Sequence, residues 1–104
     1  MKTVRNIALV LSCFSLGFSQ ASQARDFSQI SIETQQVAED LYVLYGTGGN
    51  MLVSIGDQGV LMIDDQFPEM VPKYRAAIAE LGGGRDIAFV INTHWHYDHA
   101  DGNM

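Results

Sequence analysis

Cysteine is nearly missing from this chain: Cys13 is the only one in 104 residues. A disulfide framework is thereby excluded, and so is a thiolate-rich metal site. Basic side chains are also scarce, six Lys and Arg against twelve Asp and Glu, for a formal charge of −6. A surface of that sign repels phosphate backbones, so no nucleic-acid partner is expected. Internal repeats, low-complexity tracts and charge blocks are absent. No apolar run approaches the roughly 20 residues that a spanning helix needs. The longest is residues 7–18, and it is diluted by Ser12, Ser15 and Gly17. What is there suits a globular protein: 47% apolar residues and a mean hydropathy of +0.04.

The N-terminus has its own logic. Lys2 and Arg5 make a short basic start, the 7–18 run follows, and residues 19–24 supply small side chains ending in Ser22-Gln23-Ala24. That layout is a secretory signal peptide over residues 1–24, too short to persist as a membrane anchor. No Arg pair is present, which favours general secretion. Residues 10–13 weakly resemble a lipoprotein processing site, but the apolar run continues past Cys13. The expected location is periplasmic or secreted. Cleavage would leave residues 25–104, with Arg25, Lys73, Arg75 and Arg85 as the only bases. Four bases against all twelve acids give the processed chain a charge of −8. Eighty residues bury a modest share of their surface and are marginal alone.

Periodicity orders the rest. Residues 30–34 alternate apolar and polar side chains as a short strand would. Residues 41–45 (Leu-Tyr-Val-Leu-Tyr) form a strand ending at the turn Gly46-Thr47-Gly48-Gly49-Asn50. Residues 51–55 and 60–63 are strands joined by Gly56-Asp57-Gln58-Gly59, a hairpin composition. The second of these is apolar on both faces, as a strand covered on both sides would be. Pro68 and Pro72 mark the start of a helix, where a missing N–H matters little. Val71, Tyr74, Ile78 and Leu81 then recur at helical spacing, and Gly82-Gly83-Gly84 stops the helix. Residues 87–91 form another doubly apolar strand. A strand–helix–strand unit implies parallel strands joined by a right-handed crossover. Ligands gather at the carboxyl ends of such strands, where Asp64 and the segment after Asn92 both fall.

That segment, Thr93-His94-Trp95-His96-Tyr97-Asp98-His99, holds all three histidines of the chain. First-row divalent ions take imidazole nitrogens and carboxylate oxygens. In an extended stretch, residues two apart project the same way, so His94, His96 and Asp98 converge. His99 breaks the period and requires a turn after Asp98, which Ala100 and Gly102 permit. Trp95 and Tyr97 alternate with these donors and are expected to point away and pack. Four ligands from so short a segment strain around one ion, so two neighbouring ions sharing the loop is the easier geometry.

The pattern His94-x-His96-x-Asp98-His99, after an apolar strand and before Gly102-Asn103, resembles the metallo-β-lactamase superfamily over roughly residues 41–104. Asp64, at the end of the 60–63 strand, matches that family's upstream aspartate. The resemblance implies an α/β (α+β) fold, the N-terminal half of an αββα sandwich. It implies that His94 and His96 hold one ion, and Asp98 and His99 another. Asp98 would double as a catalytic proton acceptor, and Asp64 would orient a histidine. The expected ions are two zinc ions (Zn2+), with iron or manganese able to occupy a mixed site. The implied reaction is hydrolysis of a small-molecule ester, thioester or lactam by a metal-bound hydroxide. The family's later ligands come from a second half, so residues 25–104 are expected to be a partial domain, inactive alone. The alternatives are an inert metal-binding remnant without turnover and a di-iron oxidoreductase on the same scaffold. The latter group has Glu where His96 stands, which disfavours it. Substrate and oligomeric state stay open.

Overall fold

The computed structural model describes residues 25–82 and 86–104. The expected export signal, Cys13 included, lies outside them, as do Gly83 and Gly84 of the expected helix stop. Five strands form one sheet in the order β1-β2-β3-β4-β5: Glu33–Ala38, Leu41–Tyr45, Met51–Gly56, Gly59–Ile63 and Ile87–Ile91. The first four pair antiparallel and β5 joins β4 in parallel. The mixed sheet of an α+β fold is thus present. Gly56 pairs with Gly59 across the two-residue turn Asp57-Gln58. Gly59 takes a φ of 122° there, a region that only glycine enters freely.

One face of the sheet carries the core. Leu44, Met51, Val53, Ile55, Val60 and Met62 alternate along β2, β3 and β4 and are buried with Met70, Tyr74 and Ile78. The last two come from helix α1, Val71–Gly82. Their four-residue separation puts both on one stripe, with Val71 and Leu81 packed beside it. At the helix end, a Cβ on Gly82 would lie 3.1 Å from Ile55 Cγ2, so glycine lets α1 settle close on β3. Each buried Leu or Met side chain of this layer contributes about 2–5 kcal/mol by the usual truncation measure. No helix among the described residues is long and apolar enough to cross a membrane.

Two expectations need correction. The first strand runs over Glu33–Ala38, not residues 30–34. It lies at the sheet margin and is exposed along its whole length, so apolar alternation could not mark it. Residues 27–30 instead turn (Ile30 N–H donates to Phe27 O, 3.0 Å) and are held by Lys73. Strand β5 is apolar on both faces, yet among the described residues Phe89, Val90 and Ile91 are 70%, 41% and 52% exposed. The core centres on β3 and β4, and β5 sits at its edge.

Candidate metal centre

The carboxyl ends of parallel β4 and β5 are zipped together just where the candidate donors begin. Asp64 N–H donates to Ile91 O (2.9 Å), and Asp65 N–H donates to His99 O (3.0 Å). Three consecutive side chains follow β4, Asp64, Asp65 and Gln66, and all are buried. Asp64 and Gln66 hold left-handed φ angles of 62° and 55°, which costs of order 1 kcal/mol or more per non-glycine residue. Such strain persists only where surrounding contacts over-determine it, and here they do.

Asp64 is the hub. Its carboxylate accepts from the Thr93 N–H at 2.7 Å, from the Thr93 hydroxyl at 2.9 Å, and from His99 Nδ1 at 2.7 Å. Burial pushes this carboxyl up, but the hydrogen bonds from His99 and Thr93 outweigh it and leave the pKa below the ordinary 3.8. An ionised carboxylate only accepts. The single Thr93 hydroxyl proton therefore goes to Asp64, and Thr93 Oγ1 accepts from His94 Nδ1–H at 2.9 Å. One aspartate thus fixes two tautomers, His99 directly and His94 through Thr93. In the neutral rings that metal ligation requires, this arrangement leaves each Nε2 without a proton. Asp65 differs: burial raises its pKa despite hydrogen bonds from Gly102 and Asn92.

Those freed atoms face useful neighbours. His94 Nε2 lies 3.0 Å from His96 Nδ1, near the roughly 3.3 Å between two nitrogens on a tetrahedral zinc. His99 Nε2 lies 3.5 Å from Asp98 Oδ2. The His94 and His99 ring centroids are 4.0 Å apart, which places the two pairs side by side. The donor set, three imidazoles and a carboxylate without thiolate, suits zinc or another first-row divalent ion. Among the described residues, no three His, Cys, Asp or Glu side chains close into a finished coordination shell; the donors assemble as two pairs.

The local backbone differs from the extended segment expected. Residues 93–96 lead into helix α2, Tyr97–Ala100, with His96 at its N-cap in extended geometry (φ −61°, ψ 148°). The chain thus bends over residues 93–95 and enters the helix at Tyr97, one residue before Asp98, so Asp98 and His99 project from helix rather than strand. Trp95 and Tyr97 are exposed at 75% and 64% rather than packed; the Trp95 ring meets His96 edge-on, centroids 4.8 Å apart.

Several contributors were not legible in the sequence. The glycine turn at 46–50 is part of the site: a Cβ on Gly49 would lie 2.6 Å from His99 Cε1 and 2.9 Å from its Nε2. A Cβ on Gly48 would lie 2.7 Å from Asp98 Cβ. Glycine is required so that the main chain can approach these donors. Asn92 Nδ2 donates to His99 O at 2.8 Å, and Asn103 Nδ2 donates to Asn92 Oδ1 at 2.6 Å. Gly102 N–H donates to Gln66 O at 2.9 Å. Only the pairing of Gly-rich turns with strand ends hinted at this, since the contacts span up to 50 residues.

No family model and no curated protein matches the chain. Solved structures do. The chain is similar to the native FEZ-1 metallo-β-lactamase of Legionella gormanii at TM-score 0.62 and 24% identity, over 70% of this chain and 28% of that one. It is similar to BJP-1, a subclass B3 metallo-β-lactamase of Bradyrhizobium japonicum, at TM-score 0.60 and 29% identity, with the same coverage. The Rm3 metallo-β-lactamase gives TM-score 0.59 and 32% identity over 67% of this chain and 26% of that one. The chain spans about a quarter of the length of these structures.

Proposed function

Starting from a chain that belongs to the metallo-β-lactamase fold superfamily, we propose that it carries part of the active centre of a zinc-dependent hydrolase. The observation that carries this reading is the Asp64–Thr93–His94 and Asp64–His99 network, which contacts both rings at Nδ1 and leaves His94 Nε2 beside His96 and His99 Nε2 beside Asp98. His94 and His96 would hold one divalent ion through Nε2 and Nδ1. Asp98 and His99 would hold the second through Oδ2 and Nε2. Divalent ions bound there supply Lewis acidity toward a carbonyl and lower the pKa of water. Asp98, half-buried beside His99, is the carboxylate that would take up a proton from water. Asp64, whose pKa is lowered by the hydrogen bonds from His99 and Thr93, would keep the imidazoles oriented.

The substrate class is a small molecule with a hydrolysable carbonyl: lactam, ester or thioester. The N-terminal 24 residues direct the protein out of the cytoplasm, to the periplasm or medium. The pairing of donors without a closed shell favours one second reading, a metal-binding remnant that does not turn over. Zinc titration with hydrolysis of a chromogenic cephalosporin and a chromogenic thioester tests both. Zinc uptake with chelator-sensitive hydrolysis supports the hydrolase. Zinc uptake without hydrolysis supports the remnant, and no zinc uptake contradicts both.

A further inference from the structure

Gln66 is an unfavourable residue for its place, on two counts. Its φ of 55° suits glycine. Its side-chain carbonyl Oε1 is buried with no hydrogen-bond partner among the described residues, a state that costs about 1–3 kcal/mol. Glycine would remove the first cost and leucine the second. What the glutamine alone provides is a donor: Gln66 Nε2 donates to Gly49 O, 17 residues away. Gly46 makes room for that amide, because a Cβ there would lie 2.8 Å from Gln66 Oε1 and 3.1 Å from Nε2.

Gly49 is the residue whose main chain abuts His99 Cε1 and Nε2, and Gly48 abuts Asp98. His99 is therefore gripped from both ends of its ring. Asp64 holds Nδ1, and the 46–50 turn walls Nε2. Both holds originate in one strained segment, Asp64-Asp65-Gln66, whose middle residue donates its N–H to His99 O. We infer that Gln66 is a positioning residue of the metal centre: it clamps the 46–50 turn against Asp98 and His99, so that turn and histidine loop hold one geometry. This rests on reading the site as a metal centre.

The test uses the isotopically labelled chain with Gln66→Gly and Gln66→Leu. Three quantities are measured: the melting temperature, the nuclear Overhauser contact between Gly49 Hα and His99 Hε1, and zinc affinity against a chromogenic chelator. Gln66→Gly relieves the backbone and is expected to melt no lower than the unaltered chain. It should nevertheless lose the Gly49–His99 contact and bind zinc about tenfold more weakly, as loss of an outer-shell support does. Gln66→Leu should lose the same contact. Retention of contact and affinity in Gln66→Gly overturns the inference, and so does loss of contact with unchanged affinity. Failure of the unaltered chain to bind zinc contradicts the metal reading itself. In that case the Overhauser contact still decides the clamp, its loss in Gln66→Gly supporting it and its persistence refuting it.

Discussion

Replacing Asp64 with Asn separates the two jobs of that side chain. Asn tolerates the left-handed φ of 62° nearly as well as Asp, and its Oδ1 still accepts from the Thr93 N–H and hydroxyl. The other end changes sign. Where Oδ2 accepted from His99 Nδ1 at 2.7 Å, an NH2 group now donates. A hydrogen bond to a charged partner contributes about 1.5–3 kcal/mol and a neutral one about 1. If His99 turns its proton onto Nε2, a neutral bond replaces a charged one, for a net loss of about 1–2 kcal/mol. The fold survives that loss, but the proton now occupies the atom facing Asp98. Metal affinity should fall by about 10–100-fold, the range seen when outer-shell partners are removed. The assay is imidazole 15N correlation spectroscopy of the metal-free variant, with zinc competition. A variant that keeps His99 in the Nδ1–H form and binds zinc as tightly as the unaltered chain would refute the reasoning.

Acid unfolding should show the same residue from another side. Asp64 has a lowered pKa in the fold. Its stabilisation is therefore complete above the ordinary carboxylate value of 3.8 and is lost as pH falls through the depressed value below it. The stability difference between the unaltered chain and Asp64→Asn should be flat near neutrality and shrink below about pH 4 in a pH series of denaturant melts. Gly102→Ala drives a Cβ into the backbone carbonyl oxygen of Asp65, with no flexible side chain to yield. Such overpacking costs about 1–3 kcal/mol, visible as a lower urea midpoint. Lys73→Met removes an ammonium that bonds the carbonyls of Phe27 (2.6 Å), Ser28 (3.1 Å) and Ile30. Since the site is partly wet, the expected loss is about 1–2 kcal/mol, or roughly 4–8 °C in Tm per kcal/mol for a domain this size.

Much of the fold can be read from the chain itself, and the exceptions have physical reasons. Strands β2, β3 and β4 carry alternating or continuous apolar residues bounded by glycine turns, and α1 carries its stripe at Tyr74 and Ile78. These patterns exist because burial on the sheet face demands them. Strand β1 escapes notice because Glu33–Ala38 is exposed throughout and is held by its ladder with β2 and by the Tyr45 hydroxyl donating to Gln35 Oε1. Strand β5 reads as covered on both faces, since composition reports what a residue prefers rather than what lies over it. At the site, the donor types and spacing are visible in the His94–His99 segment, but its backbone is not. Nothing local says that the chain bends over residues 93–95 and enters a helix at Tyr97. The roles of Thr93, Gly49 and Gln66 depend on contacts across 17 to 50 residues, which no short-range pattern encodes. Asp64, by contrast, is recognisable from its place at a strand end, and the structure brings its carboxylate to 2.7 Å from His99 Nδ1.

The central claim is that His94, His96, Asp98 and His99 bind divalent metal through nitrogens whose protonation Asp64 sets. Titrating zinc into the chain while following the imidazole nitrogens by NMR tests it most directly. The account predicts that His94 Nε2, His96 Nδ1 and His99 Nε2 shift on zinc addition, while Nδ1 of His94 and His99 stay protonated. Zinc that leaves all three nitrogens unmoved, or that displaces the proton from His99 Nδ1, would contradict it.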